Sequence, residues 1–222
     1  MICKTRGIVL RYVRYRETSI IATIFTESFG THAYIINNIR TAKGTAKIAL
    51  YQPLTLLDLI VYHKPNQEVA RIKEVKCLYA YQTLSADMYK TGIALFITEV
   101  LNKVLKEESN PVELFEFLQN SLITLDHLHE KANHFHLLFL IKLSHYLGFG
   151  ISNKSELIQE LLGNNIQAND LEVILQANYL DDLLTNFQQR KTLLDYCLQQ
   201  YTLHVPGFNE LKSIDVICEL WK

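Results

Sequence analysis

Cysteine is scarce and scattered in this 222-residue chain: Cys3, Cys77, Cys197 and Cys218 form no C-x-x-C pair. That spacing argues against the disulfide framework of a secreted protein. No charged-then-apolar leader opens the sequence, so a reducing cytoplasm is the expected compartment. Long hydrophobic runs are missing as well. The longest apolar stretch, "FHLLFLIKLSHYL", is broken by Lys142 and His145 well short of a bilayer-spanning length, so no transmembrane helix is expected. Signatures of catalysis are equally thin. There is no G-x-S-x-G, P-loop, Rossmann glycine pattern or H-E-x-x-H, and no strand carries the clustered carboxylates that two-metal chemistry needs. The expectation is a protein that is not an enzyme, with no internal repeat and no low-complexity segment.

Net charge is nearly absent too, at -1, but this average hides two unlike halves. Residues 1–80 carry 12 Lys+Arg against 5 Asp+Glu, whereas residues 81–222 carry 10 against 18. The chain is an electrostatic dipole. A basic half of this kind gathers polyanions, because neutralising phosphates releases their counterions; a merely solvated charged face is the plainer alternative.

What the basic half does contain is strand signal. "GIVLRYV", "SIIATIF", "HAYII", "LTLLDLIVY" and "VARIKEVKC" are rich in β-branched and aromatic residues and are separated by turn formers or charges. Five strands in about seventy residues match a small closed barrel of the OB type. Their alternation is imperfect at Ile8, Val9 and Leu10 and at Ile20 and Ile21, which predicts strands covered on both sides. From Ser85 the period turns helical. Ile93, Phe96, Ile97, Val100, Leu101 and Val104 share one face, and Asn110-Pro111 starts a second helix. A third, about 132–147, is apolar nearly all round and is stopped by "GFG" at 148–150. Further helices are expected over 155–162, 170–177 and 187–201, with Ser213 as the N-cap of a last one. The fold class is α+β, with an OB-type barrel over 1–80 and a helical domain over 81–222.

Two histidine pairs, His127 with His129 and His134 with His136, invite a metal reading. Spacing of two turns the rings roughly 200° apart on a helix, so neither pair chelates as an i, i+4 pair would. Basic residues beside aromatics are the stronger signal. Arg11, Arg14 and Arg16 interleave with Tyr12 and Tyr15, and Arg40, Lys43 and Lys47 crowd the loop "NNIRTAKGTAK". Cations to track phosphates and rings on which bases can stack suit sequence-tolerant binding of single strands. At least one of the two tyrosines is expected to be barrel core instead.

These residues resemble a known family, the bacterial recombination mediator and DNA repair protein RecO. The resemblance runs through "TRGIVLRYVRYRETSIIATIFTESFG", "IRTAKGTAKIALYQPLTLLDLIVYHK", "FLIKLSHYLGFG" and "YTLHVPGFNELKSIDVI", four stretches in the family's order. It implies a cytoplasmic, nucleoid-associated protein, a monomer on its own. Such a protein binds single- and double-stranded DNA, anneals strands coated by the single-strand-binding protein SSB, and with RecR promotes RecA loading. The cations of Arg11, Arg14, Arg16, Arg40, Lys43 and Lys47 would then meet DNA. It also implies a groove in the helical domain for the acidic C-terminal tail of SSB, with Lys142 at its mouth and Leu138 in its wall; a Lys142 that snorkels to the surface or pairs with a carboxylate is the plainer alternative. Two departures matter. Many members carry four zinc-binding cysteines after the L-G-Y-G, whereas "FGISNKSELIQELLGNN" has none, so no metal and no cofactor is expected. The family's frequent Lys-Gly before the basic loop is Asn37-Asn38 here; asparagine can keep a left-handed turn, but one phosphate-facing charge is gone. An OB-fold RNA-binding factor is the alternative that barrel and charge equally permit.

Overall fold

A computed structural model describes residues 1–39, 45–64, 67–106, 110–128, 134–151, 168–181, 183 and 186–220. Five strands, β1 (Ile2–Tyr15), β2 (Ser19–Thr26), β3 (Gly30–Ile36), β4 (Leu56–Tyr62) and β5 (Val69–Tyr79), close into a barrel in the order β1-β2-β3-β5-β4. A 3-10 turn, Thr45–Tyr51, lies between β3 and β4. Six helices follow among the described residues: α1 (Met88–Val104), α2 (Pro111–His127), α3 (Phe135–Tyr146), α4 (Ala168–Gln176), α5 (Phe187–His204) and α6 (Ile214–Leu220). The architecture is the expected OB-type barrel followed by helices. None of these helices is long and apolar enough to cross a membrane. The helix expected over 155–162 lies outside the described residues.

The described residues divide into two compact units: Met1–Gln82 with Leu101–Ile123, and Thr83–Val100 with Thr124–Lys222. Inside the barrel, Val9, Ile20, Ala22, Ile24, Tyr34 and Leu59 belong to one buried cluster. Ile8, Leu10, Phe25 and Leu56 are buried too but stand outside that cluster, which explains the imperfect alternation. Phe25 reaches the ring of Phe115 on α2 at 6.2 Å. Leu10 owes its position to a register shift. Val9 pairs with Ile24 and Arg11 with Thr23, so Leu10 is the extra residue of a bulge, and its carbonyl accepts from Asn102 Nδ2 at 3.0 Å.

Gly7 opens the G-I-V-L stretch where β1 is paired on both sides, with Thr26 and with Leu57. A Cβ there would stand 2.7 Å from Ile24 Cγ2 and 2.8 Å from Leu59 Cδ1, closer than packed carbons approach. Gly7→Ala is therefore expected to cost about 1–3 kcal/mol through overpacking, read as a lower urea midpoint at unchanged slope. A second tie lies on the barrel's outside. Arg6 donates to both carboxylate oxygens of Glu27 at 2.9 and 2.6 Å and to Gln119 Oε1 at 3.2 Å, with its guanidinium 5.1 Å from the Phe115 ring. That bidentate pair raises the pKa of Arg6 and lowers that of Glu27.

In the other unit α3 is the core helix, buried from Phe135 to Ile141 and again at Leu143 and Ser144. It packs against α4 and α5. Its stop is built by the glycines, with Gly148 at φ 87 and Gly150 at φ 40, while the N–H groups of Phe149 and Gly150 both donate to the Ser144 carbonyl. Phe149 then stacks on His204 at 5.0 Å and meets Tyr201 edge-on at 5.0 Å. The "LGFG" and "YTLHVPGF" stretches are thus two halves of one contact. Ser213 stands at the N-cap of α6, as expected, but its hydroxyl faces Glu99 of α1. That carboxylate accepts from Ser213 Oγ at 2.7 Å, Ser213 N at 2.9 Å and Lys212 N at 3.0 Å. Lys90 is buried without strain because its ammonium donates to the Thr83 hydroxyl and the Asp126 carbonyl.

Candidate nucleic-acid interface

The β1–β2 hairpin carries the first group of expected cations. Arg11 is exposed, its Nε 3.4 Å from the Thr23 hydroxyl on β2. Arg14 is exposed near the strand end, opposite Ile20. Arg16 takes a left-handed backbone, φ 51, at the hairpin tip and lays its guanidinium 5.2 Å from the Tyr15 ring. A residue with a side chain holds that conformation at a cost of about 1–2 kcal/mol, so the tip is fixed against a local preference. Tyr12 packs on the barrel core, whereas Tyr15 lies under a cation.

From the hairpin the surface continues into the turn after β3. Ser19 Oγ donates to Asn37 Oδ1 at 3.1 Å and Thr18 Oγ1 to Asn38 Oδ1 at 3.4 Å. Asn38 adopts φ 57, the left-handed turn expected of an asparagine at this place. Asn37 and Asn38 in turn wall a groove of about 490 Å³ shared with Ile39, Lys47, Tyr51 and residues 71–75 of β5. Lys47, Arg71 and Lys73 are exposed on it, with Glu74 the one carboxylate among its lining residues. Among the described residues none of these three cations makes an ion pair. Burial pushes the pKa of Tyr51 up to about 12, so it lines the groove as a neutral ring. Hairpin, turn and groove form one basic surface joined by two hydrogen bonds.

Of the expected DNA-facing residues, Arg11, Arg14 and Arg16 share the hairpin and Lys47 lines the groove beside it; Arg40 and Lys43 lie outside the described residues. Sequence reasoning missed Arg71 and Lys73. The signal was present in "VARIKEV", where cations two apart point to one side of a strand.

In the helical unit Lys142 is half-buried, its ammonium 5.8 Å from the Tyr179 ring, which stacks on Phe135 at 4.3 Å. Leu138, 1% exposed, belongs to the core behind it. Of the histidine pairs, His127 is exposed, His134 is half-buried and His136 is buried edge-on against Phe96 at 6.0 Å; His129 lies outside the described residues. Among the described residues no three His, Cys, Asp or Glu side chains gather where they could hold a metal. Cys197 is buried, which pushes its thiol up to about 12.

Strand order, basic hairpin and open groove define an OB-type barrel protein with a basic face. Residues 1–81 match the family described as Recombination protein O N terminal, and residues 85–161 match Recombination protein O C terminal. The chain is 33% identical over 241 residues to the DNA repair protein RecO of Bacteroides fragilis, covering 100% of both chains. It is 31% identical over 235 residues to the DNA repair protein RecO of Flavobacterium johnsoniae, covering 98% of both. The chain belongs to the RecO family of DNA repair proteins.

Proposed function

We propose that this protein is a non-enzymatic recombination mediator of the cytoplasm. It binds single- and double-stranded DNA, anneals complementary strands coated by SSB, and with RecR promotes RecA loading. Nucleic acid is assigned to residues 1–80, through Arg11, Arg14, Arg16, Arg40, Lys43 and Lys47. Partner proteins are assigned to residues 81–222, where Lys142 would meet the carboxylate-ended tail of SSB, with Leu138 in the apolar wall behind it. The observation that carries the reading is the basic surface on the barrel of a RecO-family chain, where Lys47, Arg71 and Lys73 make no ion pair among the described residues. Cations gathered on one face suit a partner that brings its own negative charge.

A strand-annealing assay with and without SSB tests it. The expected result is annealing of complementary DNA in the absence of ATP and magnesium, persisting when SSB coats the strands. Preference for RNA would return the reading to an OB-fold RNA-binding factor, and degraded DNA would make the chain an enzyme.

A further inference from the structure

We propose that the groove between β3 and β5 seats one unpaired nucleotide, so that the barrel favours single strands over duplex. The inference rests on the reading that the barrel binds DNA and specifies which form it selects. Its basis is the way two strands part. β3 and β5 run parallel for three pairs only, Ala33 with Val69, Tyr34 with Ala70 and Ile35 with Arg71. Beyond Arg71, β5 continues to Tyr79 with β4 on one side, and its other edge opens on the groove.

On the β4 side of this segment the register shifts. Ile60 pairs with Glu74 and Val61 with Ile72, which leaves Lys73 as the extra residue of a bulge. Bulges re-aim a side chain and interrupt strand pairing. Lys73 lines the groove together with Arg71. Lys47 supplies a third cation from the opposite wall, and all three are free of ion pairs among the described residues.

Between the cations the lining is of another kind. Ile36, Ile72 and Val75 are half-buried and Tyr51 is buried, giving apolar walls for a sugar and a base. Asn37 accepts from Ser19 through its Oδ1, which leaves its NH₂ to donate to the edge of a base. A volume of about 490 Å³ suits one small ligand and not a stacked pair. A base in a duplex would have to leave its partner to enter, at a cost of a few kcal/mol, whereas an unpaired base enters freely. Rim cations bind both forms through phosphate; the groove adds a contact that only a single strand can make.

The test compares the parent with Arg71→Ala/Lys73→Ala by fluorescence anisotropy on a fifteen-residue oligo-dT, a duplex of equal length, and an abasic strand of equal length. Affinity for oligo-dT should fall about tenfold and that for duplex less than about twofold, through loss of two phosphate contacts at a site the duplex does not use. The parent should bind the abasic strand more weakly than oligo-dT, and the double variant should bind the two alike. Lys47→Ala, on the opposite wall, should show the same selective loss at about threefold. An unchanged melting temperature checks that both variants are folded. Equal losses on single strand and duplex would overturn the proposal, as would oligo-dT and abasic affinities that match in the parent, or displacement of oligo-dT by polyglutamate of equal charge. A parent that binds neither form of DNA would instead overturn the reading on which the proposal rests.

Discussion

Raising the salt from 50 to 200 mM is expected to weaken binding of a single-stranded oligonucleotide about sixtyfold, with little dependence on base sequence. The size follows from roughly four to five phosphate contacts at about 0.7 released counterions each, which gives a slope near -3 in log K against log salt. On the proposed reading Arg14 and Arg16 on the hairpin and Lys47 at the groove would supply three such contacts, and Arg40 and Lys43, which follow Ile39 in the chain, would supply the rest. Changing Arg40 and Lys43 together to Glu should weaken binding across all sequences alike and flatten the slope by about 1.4, the share of two contacts. A melting curve run in parallel separates lost binding from lost fold. An affinity indifferent to salt would remove phosphate neutralisation as the basis of binding, and an unchanged slope in the double variant would take Arg40 and Lys43 out of the contact.

Local physics was legible in the sequence, and distant partnership was not. All five strands announce themselves because β-branched runs and turn residues act over a few positions, and α3 is recognisable because an all-round apolar helix has only the core to occupy. Asn38 could be expected in a left-handed turn from its side chain alone. Nothing in the sequence near Ser213 points to Glu99, which lies 114 positions earlier, and nothing near Arg6 points to Gln119, 113 positions later. The site divides along the same line. The hairpin arginines and Lys47 stand in segments whose turn character marks them as exposed. Arg71 and Lys73 stand in a strand where alternating charge reads as an ordinary solvated face, and only the early parting of β3 from β5 turns that face into a groove wall. The stretch Thr45–Tyr51 reads as loop but forms a 3-10 turn, short enough to leave no helical period of its own.

The stability of the protein should fall steeply as pH drops below about 6.5, with His136 as the main cause. His136 is fully buried on α3; burial first, and then the neighbouring charges of His134 and Arg190, push its pKa down to about 3. In the unfolded chain the same ring titrates near 6.5. Between pH 6.5 and 3 the unfolded state therefore binds a proton that the folded state refuses, and stability declines as pH falls through that window. Two pH units below 6.5 correspond to roughly 2–3 kcal/mol, a large share of the 5–15 kcal/mol typical of a folded domain. The lowered pKa of Glu27 acts in the same sense, but at more acid pH, where its pairing with Arg6 is lost as the carboxylate is protonated. Urea midpoints at pH 7 and 4.5 measure the total, and His136→Gln, neutral at both, isolates the histidine. The expected result is a variant less stable at pH 7 whose loss of stability on acidification is smaller by roughly 2–3 kcal/mol. Should that variant not fold, ring nitrogen shifts of the parent give the same answer, with His136 neutral down to pH 4. Equal pH dependence in variant and parent, or a ring that takes its proton near 6.5, would assign the acid sensitivity elsewhere.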